Sequence, residues 1–110
     1  MESENNIWLI ESPVVMVEGE QIANSVDWQG AARVESPSTV VFKNDGDITA
    51  QTMDASDEHV ITGSVLTLKK LSARAGDGGS RYVLLVEAEV DGNVERRKLL
   101  IHIVKPGAES

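Results

Sequence analysis

The stretch Tyr82-Val83-Leu84-Leu85-Val86-Glu87-Ala88-Glu89-Val90-Asp91-Gly92-Asn93-Val94-Glu95-Arg96-Arg97-Lys98-Leu99-Leu100-Ile101-His102-Ile103-Val104 decides the fold. Two runs rich in aliphatic and β-branched residues flank Asp91-Gly92-Asn93, residue types that tolerate positive φ, so the segment reads as a β-hairpin. A two-residue loop, either Asp91-Gly92 or Gly92-Asn93, sets even positions of the first run against odd positions of the second. Tyr82, Leu84 and Val86 then share one face with Leu99, Ile101 and Ile103. Glu87 and Glu89 take the opposite face, where Arg96 and Lys98 are cross-strand or diagonal neighbours. A three-residue loop without a bulge loses both matches, so burial and charge specify the same register.

Outward from this hairpin the same texture continues. No apolar period of 3.6 residues persists for three turns, whereas short β-branched runs punctuated by Gly, Asp, Asn, Ser and Pro recur. The chain reads as all-β, with strands near 7–10, 14–18, 21–28, 32–43, 47–53, 58–62, 65–71, 81–90 and 94–104. Residues 1–6 and 105–110 read as tails on a domain spanning 7–104. Within 21–28, Ile22, Val26 and Trp28 alternate with Gln21, Ser25 and Asp27, so one face is buried. Asn24 breaks that alternation and needs a hydrogen-bond partner if it is inside. Lys43-Asn44-Asp45-Gly46-Asp47 is a second strong turn signal.

Leu66-Thr67-Leu68-Lys69-Lys70-Leu71, the glycine-rich loop with Asp77 and Gly79, Tyr82 and the Asp91-Gly92 hairpin together resemble the last three strands of an immunoglobulin-like domain. The resemblance covers roughly the C-terminal half and implies a sandwich of two antiparallel sheets with about seven to nine strands. It implies a tyrosine corner, in which the Tyr82 hydroxyl bonds back to upstream backbone, although one extra residue separates Gly79 from Tyr82. The family's cysteine two residues after that tyrosine is replaced by Leu84, as in cysteine-free bacterial and phage sandwiches. Trp28 precedes the third strand, so Val41 or Val40 is expected at the family's core tryptophan position.

The chain's 110 residues suffice for one self-supporting core. With no cysteine there is no disulfide framework and no thiolate metal site, which fits a reducing compartment. An acidic N-terminus and a short apolar run at 7–10 match neither an export signal nor a membrane span. The net charge of −8 disfavours nucleic acid and anionic membranes as partners. Residues 1–55 carry ten acids against Arg33 and Lys43 alone, while 56–110 carry eight of each sign.

Candidate chemistry is sparse. His59 and His102 read as surface or interfacial groups. No serine has a recognisable base partner, and Gly76-Asp77-Gly78-Gly79-Ser80 lacks the lysine of a phosphate loop. The acids at Asp45, Asp47, Asp54 and Asp57 read as turn chemistry and match no calcium loop. Lys69, Lys70, Arg74, Arg81, Arg96, Arg97 and Lys98 gather in the C-terminal half, as a solvated sheet face or a docking patch. No catalytic residue, cofactor or metal is therefore expected. The structural positions are Tyr82, Asp77, Gly79, Leu84, Ile101, Asp91 and Gly92. Interaction is assigned to the N-terminal segment, with Glu4, Ile7 and Trp8 as contacts and Trp8 as an anchor or, alternatively, a core residue of the first strand.

These readings predict a non-catalytic structural module that binds either a protein partner, a capsid, tail or surface protein, or copies of itself. A small bacteriophage virion protein, decorating a capsid or attached to a tail, is the leading expectation, which places it in the virion after assembly in the host cytoplasm. The alternative is an immunoglobulin-like domain of a larger bacterial cell-surface adhesin. A carbohydrate-binding accessory module is disfavoured, because Trp8, Trp28, Phe42 and Tyr82 are the chain's only aromatic residues and most have core parity.

Overall fold

The computed structural model describes residues 7–9, as backbone, and 14–107. Its strands are β1 (Ile7–Leu9), β2 (Val14–Val17), β3 (Gln21–Ile22), β4 (Ser25–Asp27), β5 (Val34–Lys43), β6 (Gly46–Asp47), β7 (Val60–Thr62), β8 (Val65–Thr67), β9 (Leu71–Ser72), β10 (Arg81–Val90) and β11 (Asn93–Val104). One helical turn, α1 (Thr49–Thr52), follows β6. The front sheet runs β1-β11-β10-β5-β6, with β2 also on β11, and the back layer consists of β4-β8-β7 and β3-β9. Backbone bonds link the back pieces, as where the Leu68 N–H donates to the Asn24 carbonyl at 2.8 Å.

The final hairpin takes one of the two expected registers. Val90 pairs with Asn93, Glu87 with Arg96 and Tyr82 with Ile101, so the loop is Asp91-Gly92. Both loop residues have positive φ, 51° and 87°, the signature of the tight turn whose twist matches its strands. Tyr82, Leu84, Val86, Ala88 and Val90 of β10 and Leu99, Ile101 and Ile103 of β11 are buried. They meet Val26, Trp28, Leu66, Leu68 and Leu71 of the back layer in one continuous core. Each such aliphatic side chain contributes about 1.5–3 kcal/mol on leaving water. Val41, in register with Leu84, is fully buried at the centre of β5, as expected, while Val40 on the same strand is half-buried.

Several local features differ from the sequence reading. The strands expected at 21–28 and 65–71 each divide in two, as β3 with β4 and β8 with β9, so that eleven strands stand among the described residues where seven to nine were expected. The strand expected at 47–53 stops after Asp47, because the Asp47 carboxylate accepts both the N–H (2.9 Å) and the hydroxyl (2.6 Å) of Thr49 and bends the chain into α1. The sheets are antiparallel except at one edge, where β1 and β2 both run parallel to β11. The strand expected at 32–43 starts at Val34 and carries a bulge opposite Ala88, where Ser36 takes φ 53°.

Candidate interaction surface

Alternation along the front strands sorts side chains into a core face and an outer face. On the outer face, Val83 lies between Phe42 and Leu100, and Leu85 lies between Val40 and Lys98. All six are half-buried, so an apolar band crosses the sheet. At one end of the band stand Arg81, His102 and Val15, the last 50% exposed. At the other, the Arg96 Nε donates to Glu87 at 2.9 Å, the pairing expected from their register.

The outer edge of this sheet is β2. The Glu18 N–H donates to the Val104 carbonyl (2.9 Å), so even-numbered residues of this course bond toward β11. Val17, on the other phase, has its N–H capped by the Glu20 side chain at 2.7 Å. Val15 shares that phase and turns its backbone N–H and C=O outward, beside an exposed apolar side chain. Along the same edge, the backbone of Ile7, Trp8 and Leu9 lies in register with Arg96, Arg97 and Lys98. Glu4, and the side chains of Ile7 and Trp8, fall outside the described residues.

Beneath the sheet the tyrosine corner is built from more groups than the resemblance implied. The Tyr82 hydroxyl accepts the Arg74 N–H (3.1 Å) and donates to Asp77 in a short bond. Asp77 is buried and also receives Lys43 (2.8 Å) and Arg74 (3.0 Å). Burial pushes its carboxyl upward, but the bonds from Lys43, Tyr82 and Arg74 outweigh that and hold it at about 2. Burial and the bond to Asp77 raise the Tyr82 phenol, which stays a donor. Gly78 is the glycine in close contact here: a Cβ there would displace the Glu18 and Lys105 side chains, and its N–H donates to Glu18 at 2.6 Å. Gly79, with φ 94°, serves the turn and donates to the Ile103 carbonyl at 2.7 Å. Neither the Lys43 contact nor the role of Gly78 had a local sequence signal, since both depend on residues at least 27 positions away.

Two clefts flank the core. One, of about 480 Å³, lies beside α1 and includes Thr39, Met53, His59 and Lys69. His59 is half-buried, with Nε2 2.9 Å from the Thr39 hydroxyl, rather than solvated. Burial lowers the imidazole, Lys69 adds to this and Asp57 opposes it, which favours the neutral ring. The other cleft, of about 430 Å³, lies beside Trp28, Asp91 and Arg97. There the Arg97 guanidinium stacks 5.3 Å from the Trp28 ring centre, on the core parity of β11. The indole N–H of Trp28 and the Nδ2 of Asn24 are buried and have no hydrogen-bond partner among the described residues.

The acidic turns are occupied by their own backbone. Asp54 accepts the N–H and hydroxyl of Ser56, and Asp57 accepts the Lys70 and Glu58 N–H groups. These bonds lower both carboxyls. Among the described residues no group of three or more His, Asp or Glu is placed to hold a metal ion. The basic residues do not form one patch. Arg74 serves the tyrosine corner, Arg97 covers Trp28, and Arg81, Arg96 and Lys98 lie on the front face.

No family model and no curated protein sequence matches this chain. Among solved structures it is similar to a three-domain titin structure spanning domains I67 to I69, a glutamate-to-alanine variant. The TM-score is 0.52 at 10% identity, covering 89% of this chain and 31% of that one. A complex of titin M10 with an obscurin-like 1 immunoglobulin domain gives 0.45 at 16% identity, covering 87% and 89% of the two chains. The M1 domain of titin gives 0.42 at 11% identity, covering 96% and 95%. The first likeness establishes an immunoglobulin-like sandwich.

Proposed function

We propose that this domain is a non-catalytic protein-attachment module, and specifically a small bacteriophage virion protein carried on a capsid or tail. The observation that carries the reading is the edge at Val15, where, among the described residues, an outward backbone pair without a strand partner adjoins an exposed apolar side chain. Such an edge takes an extended segment of a partner by strand addition. The backbone of Ile7–Leu9 continues the same edge, and we assign the contacts to this N-terminal segment, with Trp8 as aromatic anchor together with Glu4 and Ile7. A core closed by Leu84 and the Asp77 network, without cysteine, suits folding and assembly in a reducing host cell.

A second reading, one unit of a larger bacterial surface protein, is favoured by a single finding: the chain covers 31% of the three-domain structure it matches. The test is Trp8→Ala, followed by urea unfolding and co-sedimentation with purified virions. Attachment lost with an unchanged unfolding midpoint supports the virion reading. Wild-type protein that stays in the supernatant contradicts it, and loss of stability alone returns Trp8 to the core.

A further inference from the structure

We propose that the outer face of the front sheet is a self-complementary docking surface for a second copy of this chain, separate from the β2 edge and independent of the attachment reading. Five consecutive outward positions of β10 are Arg81, Val83, Leu85, Glu87 and Glu89, and their partners on β11 are His102, Leu100, Lys98, Arg96 and Val94. A two-fold axis between β10 and β11, parallel to both, lays β10 of one copy over β11 of the other. Val83 then meets Leu100 of the second copy, and Leu85 meets the aliphatic stem of Lys98. Glu87 meets Arg96, and by symmetry Arg96 meets Glu87, so two intramolecular ion pairs merge into a ring of four alternating charges. At the ends of the two strands Glu89 meets Val94, which is 49% exposed, and Arg81 meets His102, so no carboxylate opposes a carboxylate.

This match follows from the hairpin register, because the axis superposes each cross-strand pair on its own reverse. It distinguishes the face from another exposed apolar feature, the edge of β7 with Val60 (55% exposed) and Ile61 (39%), whose three residues are all uncharged. Val40 and Phe42, in register with Leu85 and Val83, widen the apolar band onto β5. The described front face from Arg81 to Glu89, three strands wide over β5, β10 and β11, offers on the order of 400 Å² per copy from strand rise and spacing. That is smaller than the roughly 800 Å² per partner of a standard interface, so the contact is a weak, concentration-dependent dimer with two aligned sheets.

Sedimentation equilibrium of the full chain tests this. Wild-type protein should convert from monomer to dimer as concentration rises through the micromolar range and above. Val83→Glu and Glu87→Arg should each weaken dimerisation about tenfold or more, because each leaves a charge unpaired at the contact. The double exchange Glu87→Arg with Arg96→Glu restores every pair, and should restore the dimer even where a single change lowers stability. Val60→Lys, on the far layer, should leave it unchanged. A wild-type monomer up to about 1 mM, a concentration that detects millimolar affinity, would overturn the proposal. So would a dimer indifferent to Val83→Glu, or one abolished by Val60→Lys.

Discussion

At the scale of the residue, the sandwich depends on a few buried side chains and one buried charge network. Leu84 and Ile101 are fully buried at the centre of the front sheet, so replacing either with Ala should cost about 2–5 kcal/mol in urea unfolding. Losses below half of that range at both positions would mean the core tolerates the cavities. Asp77 makes a different contribution. Its folded carboxyl sits at about 2, below its ordinary value, so the stabilisation it confers is complete above about pH 4 and is lost as pH falls through the folded value. Thermal midpoints should therefore drop between pH 4 and 2, and Asp77→Asn should remove that part of the drop. Tyr82→Phe leaves the Arg74 N–H and Asp77 each short of one partner, and should cost about 1–3 kcal/mol.

At the scale of the element, the last hairpin shows how much a local sequence can specify. Apolar parity and the opposed charges narrow the register to two, and the structure takes the one with an Asp91-Gly92 turn and a Glu87–Arg96 pair. Gly92→Ala should destabilise by about 1–2 kcal/mol, since a side chain disfavours φ of 87°. Asp91→Ala should cost at least as much, because Asp91 also accepts the Ala32 and Arg33 N–H groups at 3.0 and 2.9 Å and so ties the turn to a distant loop. Equal unfolding midpoints for both variants and wild type would show that the turn does not set the register. Other elements were less legible for a physical reason. A run such as 47–53 has β-like composition, but the fate of its backbone depends on the Asp47 carboxylate bonding Thr49, a local competition that pattern does not rank. The parallel edge of β1 and β2 depends on where the chain returns in space, which periodicity does not encode.

At the scale of the whole molecule, the fold was legible because alternation, turn chemistry and the corner motif all converge on one sandwich, whereas the candidate surface was legible only in part. The N-terminal edge follows from the position of the first strand, but the free phase of Val15 emerges only once β2 is paired with β11. The half-buried His59 and the stacking of Arg97 on Trp28 join residues at least 20 apart, beyond the reach of any local pattern. The acidic turns carry a clear expectation: with Asp47, Asp54 and Asp57 engaged by nearby backbone N–H groups, unfolding midpoints in calcium and in chelator should coincide. A calcium-dependent rise would contradict that assignment.

The central claim is attachment through the β2 edge, and amide hydrogen exchange on the domain, free and bound to purified particles, tests it most directly. The Val15 amide, which faces away from β11, should exchange fast in the free domain and become protected on binding, together with the backbone of residues 7–9. Protection that appears instead around His59 and α1, with the Val15 amide unchanged, would contradict the claim.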